Sequence, residues 1–247
     1  MDIYTATFVY TLLASIGGGI VQSTTGFGYG IFVMMFFPLY LPLLQASSLS
    51  TTISLFMLTI LAWKYRKYIR FKDVLFPTAC YLVVSTIAIR MAPGLNLQWL
   101  TTVFAVFMIV LAAYMLFFSQ RIRLRPTLLS AAVCSSLSGA ASGLFGIGGP
   151  PMTLYYMSLH GDDKYVYLGT LQCFFWITSL VNSFTRLATG LLTPDVLLLI
   201  IPGIVGMLGG VWIGGKIVRR ISVEKFRLTV YLFLAIAGVI TLIQSLT

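Results

Sequence analysis

The sequence predicts an all-α polytopic membrane protein, built as an inverted repeat of two five-segment halves. The chain is 59% hydrophobic and only 9% charged over 247 residues, with a mean hydropathy of +0.97. Soluble domains carry about 25% charged residues. Two glycine-rich stretches, at 18–30 and 138–151, interrupt the apolar runs in a similar way. No soluble domain fits between those runs, so residues 1–247 are expected to form a single membrane transporter domain.

Apolar stretches predict about 8–10 membrane segments, some of them broken or re-entrant. A helix needs about 20 apolar residues to cross the bilayer. Stretches 29–44 and 150–160 are short, and 29–44 contains Pro38 and Pro42. Each follows a glycine break, so each break is expected to join helices that enter and leave on the same side. The predicted segments are 6–24, 29–44, 46–63, 74–92, 98–118, 127–145, 150–160, 165–187, 196–215 and 226–246.

The basic residues predict the orientation in the membrane. They concentrate in 64–72 with five, 121–125 with three and 216–227 with five. An outside N-terminus and ten segments place these clusters on the cytoplasmic face, as the positive-inside rule requires. Both termini are then outside. Because this rule accounts for the formal net charge of +10, no nucleic acid is expected as a partner.

The halves 1–120 and 126–247 are interpreted as internal repeats. The glycine breaks align at a shift of 120, and Leu97–Met115 overlies Val223–Thr241 at a shift of 126. Five segments is an odd number, so the second copy must insert upside down. This architecture is typical of transporters. The alternative is that apolar helices resemble one another by chance.

The two breaks predict a midplane anion site. Helix N-termini carry unsatisfied N–H groups and partial positive charge, and glycine lets a ligand approach them. The alternative is that the glycines only permit close helix packing. The first break is expected to contribute Ser23, Thr24, Thr25, Gly26, Phe27, Gly28 and Gly30. The second is expected to contribute Ser142, Gly143, Gly146, Ile147, Gly148 and Gly149.

The third helix of each predicted repeat adds Thr51, Thr52 and Gln172 as substrate-binding candidates. Polar residues within membranes usually face the bundle interior. For Gln172 the rival interpretation is an interhelical hydrogen bond. Arg90 and Arg186 lie near the outer helix ends and are candidates for guiding anions at the outer mouth. The rival interpretation is that both arginines snorkel to the interface.

The sequence predicts no enzyme, catalytic residue, metal or cofactor. It offers a single histidine in a loop, no HExxH motif and no paired cysteines among Cys80, Cys134 and Cys173. All six acidic residues lie at or beyond predicted helix ends, so an intramembrane carboxylate for cation coupling is missing. Transport is therefore expected to be passive or coupled through the substrate's own proton. Coupling to a sodium ion held by main-chain carbonyls is left open by the sequence.

The glycine breaks resemble those of the TauE/SafE sulfite exporter family, also called toluene-sulfonate uptake permeases. The matching stretches are TGFGYGIFVMMFFP at 25–38 and SGLFGIGGPPMTLYYM at 142–157. The resemblance covers essentially the whole chain and implies a permease of the bacterial inner membrane. Its implied substrates are small sulfur-containing anions, such as sulfite or organosulfonates like sulfoacetate. Pro150 departs from the family, which often continues with glycine there.

The expected function is therefore alternating-access transport of such an anion around the midplane site. The expected partners are the small anionic substrate and the lipid bilayer, and the sequence leaves a homo-oligomer open. Two other classes remain. An anion channel would share the site, whereas a membrane redox or assembly protein would need cysteines facing a common interior.

Overall fold

The computed structural model describes residues 3–25, 28–117, 124–217 and 223–246. Within these ranges it holds ten α-helices and no β-strand. The structure therefore confirms the predicted all-α class. The helices are α1 (Ile3–Thr25), α2 (Tyr29–Val33), α3 (Leu43–Lys64), α4 (Phe71–Met91), α5 (Leu97–Phe117), α6 (Leu128–Phe145), α7 (Gly149–His160), α8 (Lys164–Ala188), α9 (Pro194–Ile217) and α10 (Val223–Leu246).

Six of the described helices are long and apolar enough to cross a membrane, namely α1, α3, α4, α5, α6 and α9. Their outward faces carry large apolar side chains that stay exposed, such as Leu75, Leu129 and Ile201. Such continuous apolar exposure suits contact with lipid. The 25-residue α8 is long as well, but polar side chains such as Gln172 and Asn182 interrupt its apolar sequence. The chain is a multi-pass membrane protein.

The predicted segment 29–44 is not one helix. It divides into α2, which has five residues, and a separate 3₁₀ turn at Phe37–Leu39. The N–H of Met35 bonds to the carbonyl of Phe32, three residues back, so the α-helical pattern ends there. Pro38 has no N–H and cannot restore it. This stretch therefore supplies two short pieces.

The chain forms two compact units, each of which takes helices from both predicted repeats. Unit 1 comprises Met1–Ala46, Pro93–Ile122 and Ile201–Thr247, and unit 2 comprises Ser47–Ala92 and Arg123–Ile200. In unit 1, α5 packs against α10, and α1 against α2. In unit 2, α4 and α7 each pack against both α6 and α8. The core of unit 2 includes Tyr81, Met152, Tyr156 and Phe174.

One helix contact occurs in each unit at corresponding sequence positions. In unit 2, a Cβ on Gly139 of α6 would lie 2.6 Å from the carbonyl oxygen of Tyr81 on α4. In unit 1, a Cβ on Gly19 of α1 would clash with the carbonyl oxygen of Met207 on α9. Gly19 precedes Gly139 by 120 positions, and Tyr81 precedes Met207 by 126. These are the shifts at which the two predicted repeats align in the sequence, and the repeats stay a prediction.

Glycines also line the contact between α1 and α9 within unit 1. A Cβ on Gly206 would clash with the carbonyl oxygen of Leu12, and one on Gly210 with that of Ile16. The four-residue spacing on both helices places these contacts one above the other. Small residues of this kind let membrane helices approach until their main chains touch.

Candidate anion site beside the second glycine break

The second glycine-rich break lies in unit 2, between the end of α6 and the start of α7. Gly146 caps α6 in the left-handed conformation, with φ of 70°. A Cβ on Gly146 would lie 3.0 Å from the carbonyl oxygen of Ser47, and one on Gly148 would lie 2.8 Å from that of Ser138. Gly146 needs glycine for its backbone conformation, and Gly148 needs it for space.

Arg186, in the last turn of α8, is fully buried with 0% of its surface exposed. Its Nη1 donates to the hydroxyl oxygens of Ser47 at 2.7 Å and Ser48 at 3.0 Å. Its Nη2 donates to the carbonyl oxygens of Ser142 and Gly143, both at 2.8 Å. The guanidinium therefore ties the serines of α3 to the C-terminal end of α6. There the carbonyl of Ser142 also accepts from the N–H of Gly146 at 2.9 Å.

The charge of Arg186 has no carboxylate partner among the described residues. The one ion pair recorded there joins His160 Nε2 to Asp73 Oδ2 at 3.0 Å. Arg186 is also the one buried Lys or Arg among residues whose side chains are described, and its Nε has no hydrogen-bond partner. Buried charges normally need an opposite charge or complete hydrogen bonding. The carbonyl end of α6 offers about half a negative charge.

Asn182, also on α8, extends this polar region towards the break. Its Oδ1 accepts a hydrogen bond from the Ser85 hydroxyl at 2.9 Å. Its Nδ2 lies 3.5 Å from the Tyr81 hydroxyl and 3.4 Å from the Ser142 hydroxyl. Bonds of this length are weak, so the amide hydrogens are loosely held. The Tyr81 hydroxyl in turn lies 3.1 Å from where a Cβ of Gly148 would be.

Ser138 adds a hydroxyl beside the break. The residue is fully buried, and its Oγ has no hydrogen-bond partner. A buried hydroxyl without a partner is unusual, and it leaves one donor and its acceptor lone pairs unused. We refer to six side chains together as the α8 polar cluster: Tyr81, Ser85, Ser138, Ser142, Asn182 and Arg186.

The N-terminus of α7 offers fewer donors than the sequence analysis assumed. The helix begins at Gly149, and Pro150 and Pro151 occupy the next two positions. Proline has no N–H. Gly149 is therefore the one amide donor among the first three residues of α7. The side chains of the α8 polar cluster are better placed to supply donors than this helix end is.

The first glycine break, in unit 1, is arranged differently. Gly28 has φ of 117°, and the helix that follows has only five residues. The N–H of Tyr29 donates to Gln22 Oε1 at 3.0 Å, so a protein acceptor already occupies a first-turn donor. The Ser23 hydroxyl donates to the carbonyl of Ile20 at 2.8 Å. Four of the predicted site residues cannot be placed here. Gly26 and Phe27 lie outside the residues that the structure describes, and so do the side chains of Thr24 and Thr25.

The predicted glycines of the two breaks belong to different units. Gly28 and Gly30 lie in unit 1, whereas Gly146, Gly148 and Gly149 lie in unit 2. A midplane site lined by both breaks stays a prediction. Among described side chains, a buried Lys or Arg occurs beside the second break alone.

Residues 11–241 match the family model described as Sulfite exporter TauE/SafE. The chain belongs to the TauE/SafE family. No curated protein and no solved structure matches it. The family resemblance is thereby confirmed over nearly the whole chain. Together with the six long apolar helices, it identifies a transmembrane permease of the sulfite-exporter type.

In this TauE/SafE protein, the hydroxyls of the two threonine candidates are engaged within α3. Thr51 Oγ1 donates to the carbonyl of Ser47 at 2.8 Å, and Thr52 Oγ1 donates to that of Ser48 at 2.9 Å. Such bonds to the preceding turn are common for threonine in helices. Gln172 is buried within unit 2, with 1% exposure. Substrate binding by these three residues stays a prediction.

The two arginine candidates occupy different environments. Arg90 is exposed in the last turn of α4, where either anion guidance or snorkelling is feasible. Arg186 is buried and bonded to four protein groups, so it does not snorkel. An outer-mouth role stays a prediction for both. Gly143, another candidate, packs closely against Ser85 and Ala88 of α4, which fits the packing alternative.

Sequence reasoning missed most of the α8 polar cluster. Two spacings in the sequence could have pointed to this cluster. Ser138 lies four residues before Ser142, and Asn182 lies four residues before Arg186. Residues four apart share one face of a helix. No sequence signal singles out Tyr81, since its role depends on how α4 packs against α6 and α8. Ile147, which was predicted, is a buried apolar residue with 2% exposure.

Proposed function

We propose that this TauE/SafE permease carries sulfite or small organosulfonates by alternating access, around an anion site beside the second glycine-rich break. The observation that carries the proposal is the buried Arg186, which has no carboxylate partner among the described residues. A full positive charge inside a membrane protein needs compensation and commonly marks an ion pathway. A substrate anion beside the second break provides that compensation.

The α8 polar cluster suits the oxygens of a sulfur oxyanion. The hydroxyls of Tyr81, Ser138 and Ser142 and the amide of Asn182 can each donate a hydrogen bond. These donors are neutral, so they orient the anion without adding charge that would hold it permanently. A carrier must release its substrate on the far side, and weak neutral contacts permit that.

Counterflow in liposomes tests the proposal. Purified protein is reconstituted into vesicles loaded with unlabelled sulfite, and entry of radiolabelled sulfite is measured; the monovalent sulfonates methanesulfonate and isethionate are tested in the same way. We expect saturable uptake with overshoot, which a carrier produces. Unsaturable flux without counterflow would instead identify a channel. Absence of flux for all three anions would overturn the proposal.

Arg66 provides a matched control for Arg186. It occupies the corresponding position 120 residues earlier but is exposed, where it stacks over the Trp63 ring at 4.4 Å. We expect Arg186→Gln to abolish counterflow and Arg66→Gln to retain it. Thermal denaturation in detergent shows whether each variant is folded. Full counterflow by a folded Arg186→Gln protein would remove the buried charge from the mechanism.

The proposal places the permease in the bacterial inner membrane with both termini outside. The support is the positive-inside distribution of the basic loops. Single cysteines introduced at residue 2 and residue 67 of a protein without native cysteines test the orientation. A membrane-impermeant thiol reagent applied to whole spheroplasts should label the first and spare the second.

A further inference from the structure

We propose that the site beside the second break selects singly charged anions, such as bisulfite or a monovalent organosulfonate, over dianions such as sulfate. The inference rests on the proposed function and adds the charge state of the substrate. It follows from the charges and donors that unit 2 gathers around the break.

The fixed charge at the break amounts to about one positive unit. Arg186 contributes a full charge, and no carboxylate lies against it among the described residues. The carbonyl end of α6 and the N-terminus of α7 meet at Gly146–Gly149. These ends carry about −0.5 and +0.5 charge, so they roughly cancel. A monoanion therefore neutralises the region, and a dianion leaves an excess negative charge.

An excess charge is costly in this environment. The desolvation penalty of an ion rises with the square of its charge, so that of a dianion is roughly four times that of a similar monoanion. Compensation would require a second cation. The other members of the α8 polar cluster are hydroxyls and one amide, which are neutral.

The hydrogen bonds of Arg186 sharpen the selection. All four of its Nη hydrogens already donate to protein oxygens. Two of the acceptors are serine hydroxyls of α3, and the other two are main-chain carbonyls of α6. The guanidinium therefore cannot also grip an anion with two parallel bonds, which is the contact that favours carboxylates and phosphates. Arg186 acts through its charge, and neutral groups make the contacts.

Those neutral groups can also accept a hydrogen bond. The Ser138 hydroxyl is buried and without a partner, and a hydroxyl both donates and accepts. The protonated oxygen of bisulfite would have an acceptor there, whereas the doubly charged sulfite ion has no proton to give. The same group also serves a sulfonate, by donating to one of its oxygens.

Uptake at different pH values tests the inference. Proteoliposomes are held at equal internal and external pH, with the membrane potential clamped, over a range that spans the second pKa of sulfite. We expect sulfite uptake to fall with rising pH in proportion to the bisulfite fraction. Uptake of methanesulfonate, whose single charge does not change, should stay constant. Sulfate in large excess should compete poorly with methanesulfonate.

A charge variant of nearly unchanged shape adds a second test. Asn182→Asp places a negative charge beside Arg186, and Asn182→Ser keeps the position neutral. We expect the aspartate variant to lose methanesulfonate affinity by about tenfold or more at neutral pH and to recover at acidic pH, where the carboxyl is protonated. The serine variant should show no such recovery.

The outcomes separate the two proposals. If neither sulfite nor methanesulfonate is carried, the proposed function fails. If both are carried but sulfite uptake is independent of pH, or sulfate competes as well as methanesulfonate, the monoanion inference fails and the permease function stands. An aspartate variant that behaves like the serine variant at every pH would also overturn the inference.

Discussion

Arg186 donates from Nη2 to the carbonyl oxygen of Gly143 at 2.8 Å, although the two residues lie 43 positions apart. This bond connects the buried end of α8 with the helix that leads into the second break. It is one of four bonds that fix the guanidinium, so Arg186 holds the local structure as well as supplying charge.

Arg186→Lys separates these two contributions. Lysine keeps the positive charge but has no planar fork of donors, so it cannot bond to both serine hydroxyls and both carbonyls at once. We expect a loss of stability of about 1–3 kcal/mol, because buried acceptors lose their donors. Thermal denaturation in detergent measures this, and counterflow should partly survive. An unchanged melting temperature would show that the four bonds do not stabilise unit 2.

Gly148→Ala should disturb the break. The added Cβ would lie 2.8 Å from a main-chain oxygen, the carbonyl of Ser138, which cannot move as a side chain can. We expect destabilisation of about 1–3 kcal/mol and reduced transport. Gly94→Ala is the control, because nothing lies within 4 Å of its Cβ position. Equal stability of the two variants, measured by thermal denaturation, would contradict the close approach.

The glycine contact between α1 and α9 can be tested with adjacent residues. Gly210→Ala should destabilise unit 1 by about 1–3 kcal/mol, since its Cβ would strike the main chain at Ile16. Gly209→Ala should be neutral or stabilising by about 0.5–1 kcal/mol, because its Cβ meets nothing within 4 Å and alanine favours the helix. Melting temperatures of both variants are compared. The reverse order would mean that α1 and α9 do not pack on this face.

The single histidine of the sequence, His160, is the last residue of α7, and its side chain is 8% exposed and bonded to Asp73. Asp73→Asn removes the charge of this partner at the start of α4. We expect a modest loss of up to about 1 kcal/mol, because Asp73 is partly exposed. Asp195→Asn is the matched control, since Asp195 also lies in the first turn of its helix. Equal changes in melting temperature would assign the effect to the helix ends rather than to the His160 pair.

Replacing Cys80, Cys134 and Cys173 with alanine should leave transport intact. All three are free thiols, and none forms a disulfide in the structure. A redox or assembly function would depend on them, whereas the α8 polar cluster contains none. Counterflow by the triple variant is compared with that of the parent protein. Lost transport by a folded variant, with its fold checked by thermal denaturation, would revive the thiol-based alternative.

The sequence was sufficient to predict most of the helices, but it was insufficient to predict the α8 polar cluster. The length and apolarity of α5 and α6 predict their bounds closely, because the bilayer imposes both properties locally. The prediction of one membrane segment over 29–44 was wrong because Pro38 and the turn around it interrupt the main-chain hydrogen bonds of a helix. Hydropathy does not measure those bonds. Arg186 was recognised as a candidate at a helix end, but its burial depends on Ser47 and Ser142, which approach from other helices. No local pattern records such contacts.

The four bonds of Arg186 also bear on energetics across the membrane. A cation tied to four protein oxygens remains with unit 2, so it does not accompany the substrate. Transport of a lone monoanion would then be electrogenic, with one negative charge displaced per turnover. An interior-negative potential of about 100 mV would favour outward movement by about 2.3 kcal/mol per charge. Net efflux of a sulfur anion would need no coupling ion, and the current would be measurable directly across a supported membrane.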